Sequence, residues 1–540
     1  MKHEELFQKL VGTESYSPEG ENNIAHMILA TIKEQKYFRE HPELCGIDII
    51  PNDLNEFRYP WALYLTSPKT AATVLLTGHM DTVGIDNYEL LKPFALSPDA
   101  LRSQMESLHL STQSGEDLAS DTWIAGRGTA DMKGGLSALM MEFFRLTEAK
   151  DIPVNVLLIP VPDEERYSAG ARACIRRIHQ LRKEYSLDIK LSLTAESHTR
   201  IDGKMVGSIG TVGKMQVNIV VSGEPKHIRF YYGGCSAAQL AANIITAIDG
   251  NPDLTERHKD QKTPPPVCMY MRDTKTTYDV TVPASVDMAF TCQLFQNSPE
   301  TLIRKIKTKI EDVLEGFETR YRSDIDKWCD GVKVTFTPYD HHGKVITFAE
   351  LLTLAKEADR DGFDKYYTEL RKEVIDANIR GMLSYNDATL KMIHGVLDFL
   401  SPSAPLVVIG LTPPFYPGFT NAIIIDDEHC VSKLPKEIQD FTKKRFGVET
   451  RFEDYFPGIS DMSYAATTYN QEEVGYLVEN MPLWGDNYSI EFSKIKDLQI
   501  PVLNIGPWGK DIHTSQERVN RNSLFHESCE IIRFVLERMK

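Results

Sequence analysis

The sequence predicts an α/β protein. Its main body is a mixed, mostly parallel sheet with helices on both faces, interrupted by a smaller inserted βαββαβ layer and a helical insertion. Three observations carry this. The first 210 residues alternate short apolar runs with helix-like segments, at 73–77, 136–145, 154–161 and 169–182, which is the pattern of strands joined by helical crossovers. Val154, Val156, Leu157, Leu158, Ile159 and Val161 form an almost unbroken apolar run, expected of a strand covered on both faces. After Gly213 the period becomes two, with Met215, Val217, Ile219 and Val221 alternating with more polar neighbours, so a strand with one buried face opens a different domain.

That second domain reads on as a helix over 236–248, a strand pair at 278–282 and 286–295, a helix carrying Leu302, Ile306, Ile310 and Val313, and a strand at 332–336. The order βαββαβ predicts a ferredoxin-like layer packed on one side by two helices. Residues 346–400 are charge-rich and helix-like, with apolar clusters at Leu351, Leu352, Leu354 and Ala355 and at Met392, Ile393, Val396 and Leu397. From Leu406 strand-plus-helix character returns, with strands at 407–411, 422–425 and 501–505 and helices at 436–446 and 525–536. The expected organisation is therefore one domain from 1–210 and 401–540, a second over 211–345, and a helical insertion or extension over 346–400.

The chain has 540 residues, 60 of them basic and 77 acidic, for a net charge of −17. That is the wrong sign for a protein that neutralises phosphates, so nucleic acid is excluded as the expected partner. The N-terminal stretch lacks a secretory apolar core, and no run approaches the ~18 apolar residues that span a bilayer. A cytoplasmic address with no membrane partner is expected. The eight cysteines are widely scattered with no paired zinc-ribbon or thioredoxin spacing, which suits buried free thiols.

Five segments carry side chains suited to chemistry. The strand at 73–77 runs into Gly78-His79-Met80-Asp81-Thr82-Val83, where His79 and Asp81 share a face if the backbone stays extended. Gly126-Arg127-Gly128-Thr129-Ala130-Asp131-Met132-Lys133-Gly134-Gly135 opens onto an apolar helix. It lacks the Gly-Lys-Ser/Thr of a phosphate loop and the dinucleotide spacing, so its glycines are read as letting the backbone bend sharply and Asp131 project into a cleft. Pro162-Asp163-Glu164-Glu165 ends the strand at 154–161, and Glu196 ends the run 191–195. The strand at 501–505 leads to Ile512-His513-Thr514. Each is unremarkable alone; all five follow apolar strands of one predicted domain, where an open parallel sheet gathers its ligands. Two histidines with at least three carboxylates suit zinc or a similar first-row metal better than magnesium or calcium. Two divalent ions are neutralised by Asp131, Glu165, Glu196 and one hydroxide.

Through these motifs the sequence resembles the M20 family of metallopeptidases and amidohydrolases. The likeness rests on the segments at 78–83, 126–135, 162–165, 194–197, 457–461 and 513–519, in the family's order and approximate spacing. The length and Pro457-Gly458-Ile459-Ser460-Asp461 look most like its arginine-utilisation, RocB-like subgroup. The resemblance implies a zinc-exopeptidase-type fold with a lid domain, and two divalent ions, zinc first, with cobalt or manganese as alternatives. It implies that Asp131 bridges the ions, that His79 and Glu196 complete one site, and that Glu165 and His513 complete the other. Asp81 would orient His79. Glu164 would be the general base, taking a proton from the metal-bridging water and passing it to the leaving nitrogen. The peptide after the bridging aspartate is cis in the family. Gly223-Glu224-Pro225-Lys226-His227 resembles the segment whose histidine stabilises the oxyanion in a neighbouring subunit, which makes His227 a candidate and a homodimer through the lid domain an expectation. The family's arginine-bearing lid strand has no counterpart at 281–293, leaving the substrate carboxylate without an assigned partner.

The expected function is hydrolysis of an amide bond in a small peptide or N-acyl amino acid, in amino-acid and specifically arginine catabolism. A rival from another class is a non-catalytic metal- or ligand-binding protein that keeps the fold. A dinuclear phosphatase is a third, disfavoured because only Arg127 and Lys133 are basic near the motifs.

Overall fold

A computed structural model describes residues 2–51, 53–66, 70–105, 112–149, 152, 154–331, 333, 335–340, 342–400, 404–485 and 488–539. The chain forms two compact units: Met1–Val212 with Pro417–Thr468 and Ile490–Lys540, and Gly213–Tyr416 with Tyr469–Ser489. Among the described residues no helix is long and apolar enough to cross a membrane.

The first unit is built on an eight-stranded sheet in the order Cys45–Ile49, Arg58–Tyr64, Asn155–Val161, Ala72–His79, Asp188–Thr194, Val502–Asn504, Met205–Ser208, Thr450–Glu453. At its centre the strands run parallel, Asn155–Val161 to Ala72–His79 to Asp188–Thr194 to Val502–Asn504, and antiparallel pairs lie on both sides of them, Arg58–Tyr64 with its two neighbours and Val502–Asn504 with Met205–Ser208. All seven residues of Asn155–Val161 are buried, so both faces of this strand are covered as its apolar run predicts. The helices Lys133–Ala149 and Ala169–Tyr185 pack on it. The expected strand at 422–425 is instead a short helix, Asn421–Ile424. Asn421 exchanges both backbone hydrogen bonds of Val502 through its side chain, at 2.7 and 2.9 Å, and so pins the segment beside the sheet without extending it. The closing helix begins later than expected, at Cys529, after a π-helical turn over Ser523–Ser528.

The second unit holds a five-stranded sheet in the order Val267–Asp273, Ser285–Leu294, Gly213–Ser222, Leu406–Tyr416, Lys344–Thr347. Its first four strands, with helices Ala237–Ile248 and Pro299–Cys329, give the expected βαββαβ arrangement, but two strands differ from expectation. Residues 278–282 contribute only one bridge, Thr281 to His227, because Asp279 closes a tight turn by accepting the Thr281 N–H at 3.0 Å. The partner of Ser285–Leu294 is Val267–Asp273, an edge strand whose Met269 is 61% exposed and whose pattern is therefore weak. The fourth strand is not at 332–336, where 332 and 334 lie outside the described residues and 333, 335 and 336 form none. It is Leu406–Tyr416, antiparallel to Gly213–Ser222. The first unit therefore resumes at Pro417 rather than at 401.

The segment between is helical, as Phe348–Ala358, Arg360–Ile379 and Tyr385–Leu400. Phe348, Leu351, Ile393 and Val396 form one core with Val220 and Val408 of the sheet. Gly213–Ser222 thus has two buried faces, not one. Its Asn218 is fully buried among these helices and donates to the Asn386 carbonyl at 3.4 Å. Helix Gln471–Asn480, which no pattern assigned to this unit, joins it, with the Asn480 side-chain Oδ1 accepting the Ala349 N–H at 3.1 Å.

Candidate metal centre

Ala72–His79, Asn155–Val161 and Asp188–Thr194 are adjacent and parallel, so their C-terminal ends open on one edge of the sheet. His79 is the last residue of its strand, Glu164 and Glu165 follow Val161 by three and four residues, and Glu196 follows Thr194 by two. Asp131 enters from the glycine-rich loop. Gly128 there has φ +76°, a left-handed conformation that favours glycine. Gly135, in the first turn of the following helix, lies so close to the Glu196 strand that a Cβ would stand 1.8 Å from the Ala195 carbonyl oxygen. The Asp131–Met132 peptide is cis.

The five expected ligand residues come together. Asp131 turns its two oxygens in different directions: Oδ1 lies 3.0 Å from His79 Nε2 and Oδ2 lies 3.1 Å from His513 Nε2. Glu196 approaches His79 Nε2 to 3.8 Å, and Glu165 approaches His513 Nε2 to 3.1 Å. Two donor sets result, His79, Asp131 and Glu196, and Asp131, Glu165 and His513, each with its atoms within 4.8 Å of one another; Glu164 lies equally close to His79 and Glu165. This is the donor chemistry of two first-row divalent ions sharing one carboxylate.

The electrostatics of the site agree with that fit. Burial pushes the Glu164, Glu165 and Glu196 carboxyls up, with neighbouring carboxylates adding to it, and Glu196 reaches about 8. Burial also acts to raise Asp131, but hydrogen bonds from the two imidazoles outweigh it and hold it below the ordinary carboxylate range. Burial alone would lower His79; Glu196, Asp131 and Asp81 raise it well above its usual value instead. Hydrogen bonds to Asp131 and Glu165 raise His513 to about 10. Several buried anions that repel one another are the arrangement that bound cations stabilise.

Asp81 is buried beside His79. The ring Nδ1 lies 3.1 Å from its backbone carbonyl and 3.6 Å from its carboxylate, whose other oxygen accepts the Glu165 N–H at 3.1 Å. Asp81 thus ties the His79 strand to the loop of Glu164 and Glu165. His227 belongs to the second unit, where it is exposed and caps a short 3-10 turn by accepting the Arg229 N–H at 3.2 Å.

Four groups near the site went unassigned from sequence. Glu21 is buried beneath the Glu164 loop, accepts the Asp163 N–H at 2.9 Å and pairs with Arg166; burial pushes it up to about 9. Nothing in its local sequence signals this. Asp461 is buried in the same unit, raised by burial to about 7 against the pull of His79. Glu517 and Arg127 form a fully buried ion pair behind Asp131. The last three lie inside segments that carry the family resemblance, where no spacing assigns them a part in the site.

Comparison with known proteins agrees with this geometry. The sequence profile of peptidase family M20/M25/M40 matches residues 75–537, which include every clustered donor. Protein YqjN of Bacillus subtilis (strain 168) is 28% identical over 537 residues, 98% of this chain and 95% of its own. Protein RocB of the same organism is 25% identical over 516 residues, 94% of this chain and 89% of its own. The aminopeptidase PepT structure from Bacillus cereus ATCC 10987 superposes with a TM-score of 0.51 at 15% identity, covering 100% of this chain and 98% of that one, a likeness of fold. A profile match across all the site segments settles the kinship: the chain belongs to peptidase family M20/M25/M40 and is a metal-dependent hydrolase of peptide or amide bonds.

Proposed function

We propose that the protein cleaves the amide bond of a small peptide or N-acyl amino acid at the Asp131 centre, in the first unit, with Glu164 as general base. The observation that carries this reading is the pair of Asp131 oxygens aimed at two histidines, each joined by a further carboxylate. In it Asp131 would be shared between two ions, His79 and Glu196 would hold one, and Glu165 and His513 would hold the other. Zinc would be the ion, with cobalt or manganese as the substitutes to test. When bound they supply Lewis acidity that activates water and polarises the scissile carbonyl.

The chain's own residues do the rest. Glu164 is buried and lies beside His79 and Glu165, the position from which its carboxylate would take a proton from the attacking water and return it to the departing nitrogen. Asp81 keeps the His79 ring oriented. His227, in the lid-type second unit, reaches the developing oxyanion in a partner subunit of a homodimer. The protein works in the cytoplasm, a reading supported by eight free cysteines, five of them buried, and a net charge of −17. The resemblance to the arginine-utilisation subgroup points to amino-acid catabolism, and arginine derivatives are the first substrates to test.

The test is a panel of dipeptides, tripeptides and N-acyl amino acids, run with the parent protein and Glu164→Gln. The variant should keep its metal and lose turnover by roughly 10²-fold or more. Full activity in it would end the base assignment. Metal and ligand binding by the parent without turnover of any panel member would instead favour a non-catalytic binding protein.

A further inference from the structure

Behind Asp131 runs a chain of polar groups that the reaction does not use. Glu517 is fully buried and lies four residues after His513. Its Oε1 accepts two consecutive backbone N–H groups, of Ala130 at 3.1 Å and Asp131 at 3.2 Å. Its Oε2 pairs with the guanidinium of Arg127, which is itself buried and lies 5.3 Å from the centre of the Tyr88 ring. Arg127 Nη2 donates to Asn87 Oδ1 at 3.0 Å, and Asn87 Nδ2 donates to the His513 carbonyl at 2.7 Å. The chain therefore begins at the N–H of one ligand residue and ends at the carbonyl of another.

Both ends need holding. Asp131 must aim two oxygens at two different histidines, which requires its peptide plane to be fixed, and a carboxylate gripping that N–H and the preceding one fixes it. His513 has φ +63°, sparsely populated for any residue but glycine, and its side chain is 49% exposed, so little packing constrains it. Asp511, two residues earlier, is also left-handed at φ +52°. Arg518 secures that side of the loop, reaching the Asp511 carboxylate and, at 2.9 Å, the Gln516 carbonyl. The other side is met by Asn87. A buried ion pair such as Glu517–Arg127 is a weak source of stability but a good fixer of geometry.

We propose that Glu517 and Asn87 are positioning residues of the two-ion centre: Glu517 sets the backbone that aims Asp131, and Asn87, relayed from Glu517 by Arg127, sets the loop that delivers His513 to the same carboxylate. This rests on the two-ion reading above. Asn87 then governs the ion held by Glu165 and His513, while Glu517 governs both.

The experiment is a cobalt(II) titration of metal-free protein, followed by visible absorption and calorimetry, with the thermal midpoint of each metal-free protein measured alongside. Asn87→Ala removes the whole link; Asn87→Asp keeps the acceptor for Arg127 and replaces the donor to the His513 carbonyl with a carboxylate oxygen. Because Asn87 is exposed, both variants should fold with the parent's metal-free midpoint. Each should weaken one of the two binding steps by on the order of 10- to 100-fold and leave the other unchanged. Glu517→Gln should weaken both steps; if it fails to fold, the Asn87 pair decides. Two unchanged steps in both Asn87 variants would overturn the proposal, as would equal loss of both steps together with a lowered metal-free midpoint. Asp131→Ala separates the two ideas. Two ions held by that variant as tightly as by the parent would refute the shared role of Asp131 on which the proposal rests, and fewer than two in the parent would refute the two-ion reading itself, whereas loss of metal in Asp131→Ala with unchanged Asn87 variants would refute only the positioning role.

Discussion

Asp131 holds one carboxylate oxygen 3.0 Å from His79 and the other 3.1 Å from His513, and that single side chain joins the two halves of the site. Away from it, His3 gives a clean residue-scale test of burial. Its ring lies 2.9 Å from the Ser137 hydroxyl and stands edge-on to Phe525. Burial, opposed by Glu4 and reinforced by His526, lowers it from 6.5 to about 4. Since the folded value is the lower one, the unfolded chain takes the proton first as pH falls. The stability contribution is complete above about 6.5 and is lost on the way down to about 4, on the order of 3 kcal/mol in all. Urea unfolding at pH 7 and pH 4.5 should show a smaller loss in His3→Gln than in the parent, and equal losses would refute the assignment. The clustered donors were legible because each follows an apolar strand or sits in a glycine-rich turn. Glu517 and Asn87 were not, because they act through backbone N–H and carbonyl groups, which leave no pattern in sequence.

At the scale of elements, the first turn of Lys133–Ala149 lies against the end of the Asp188–Thr194 strand, a contact possible only because residue 135 has no Cβ. Gly135→Ala would place that atom 1.8 Å from the Ala195 carbonyl oxygen, and backbone cannot rotate away as a side chain can. A destabilisation of roughly 2–4 kcal/mol follows. Denaturant unfolding should detect it, and a midpoint equal to the parent's would contradict the packing. The parallel strands of the first unit were legible because burial on both faces makes them continuously apolar. The second unit was read less well. Its fourth ferredoxin-like strand stands some 70 residues beyond its expected place, since the three helices of the insertion intervene and then cover the sheet's other face. Short-range periodicity carries no information about which later strand returns to pair with an earlier one. The edge strand Val267–Asp273 was missed for a different reason, since its exposed apolar side chains erase the alternation that marks a half-buried strand.

At the scale of the whole molecule, the clustered carboxyls of the site predict that cations bound there stabilise the fold. Ions that bind only the folded chain should stabilise it by about 2.7 kcal/mol per site at a free concentration a hundred times the dissociation constant. Chelation should therefore lower the thermal midpoint of the parent, and metal return should restore it. Asp131→Ala should show neither response. A parent midpoint indifferent to chelation would mean that the cluster holds no ion. The central claim is best tested by plasma mass spectrometry of purified parent and Asp131→Ala under controlled metal supply. The account predicts close to two transition-metal ions per parent chain and a clear loss in the variant. No bound metal in the parent, even after supplementation, would contradict it.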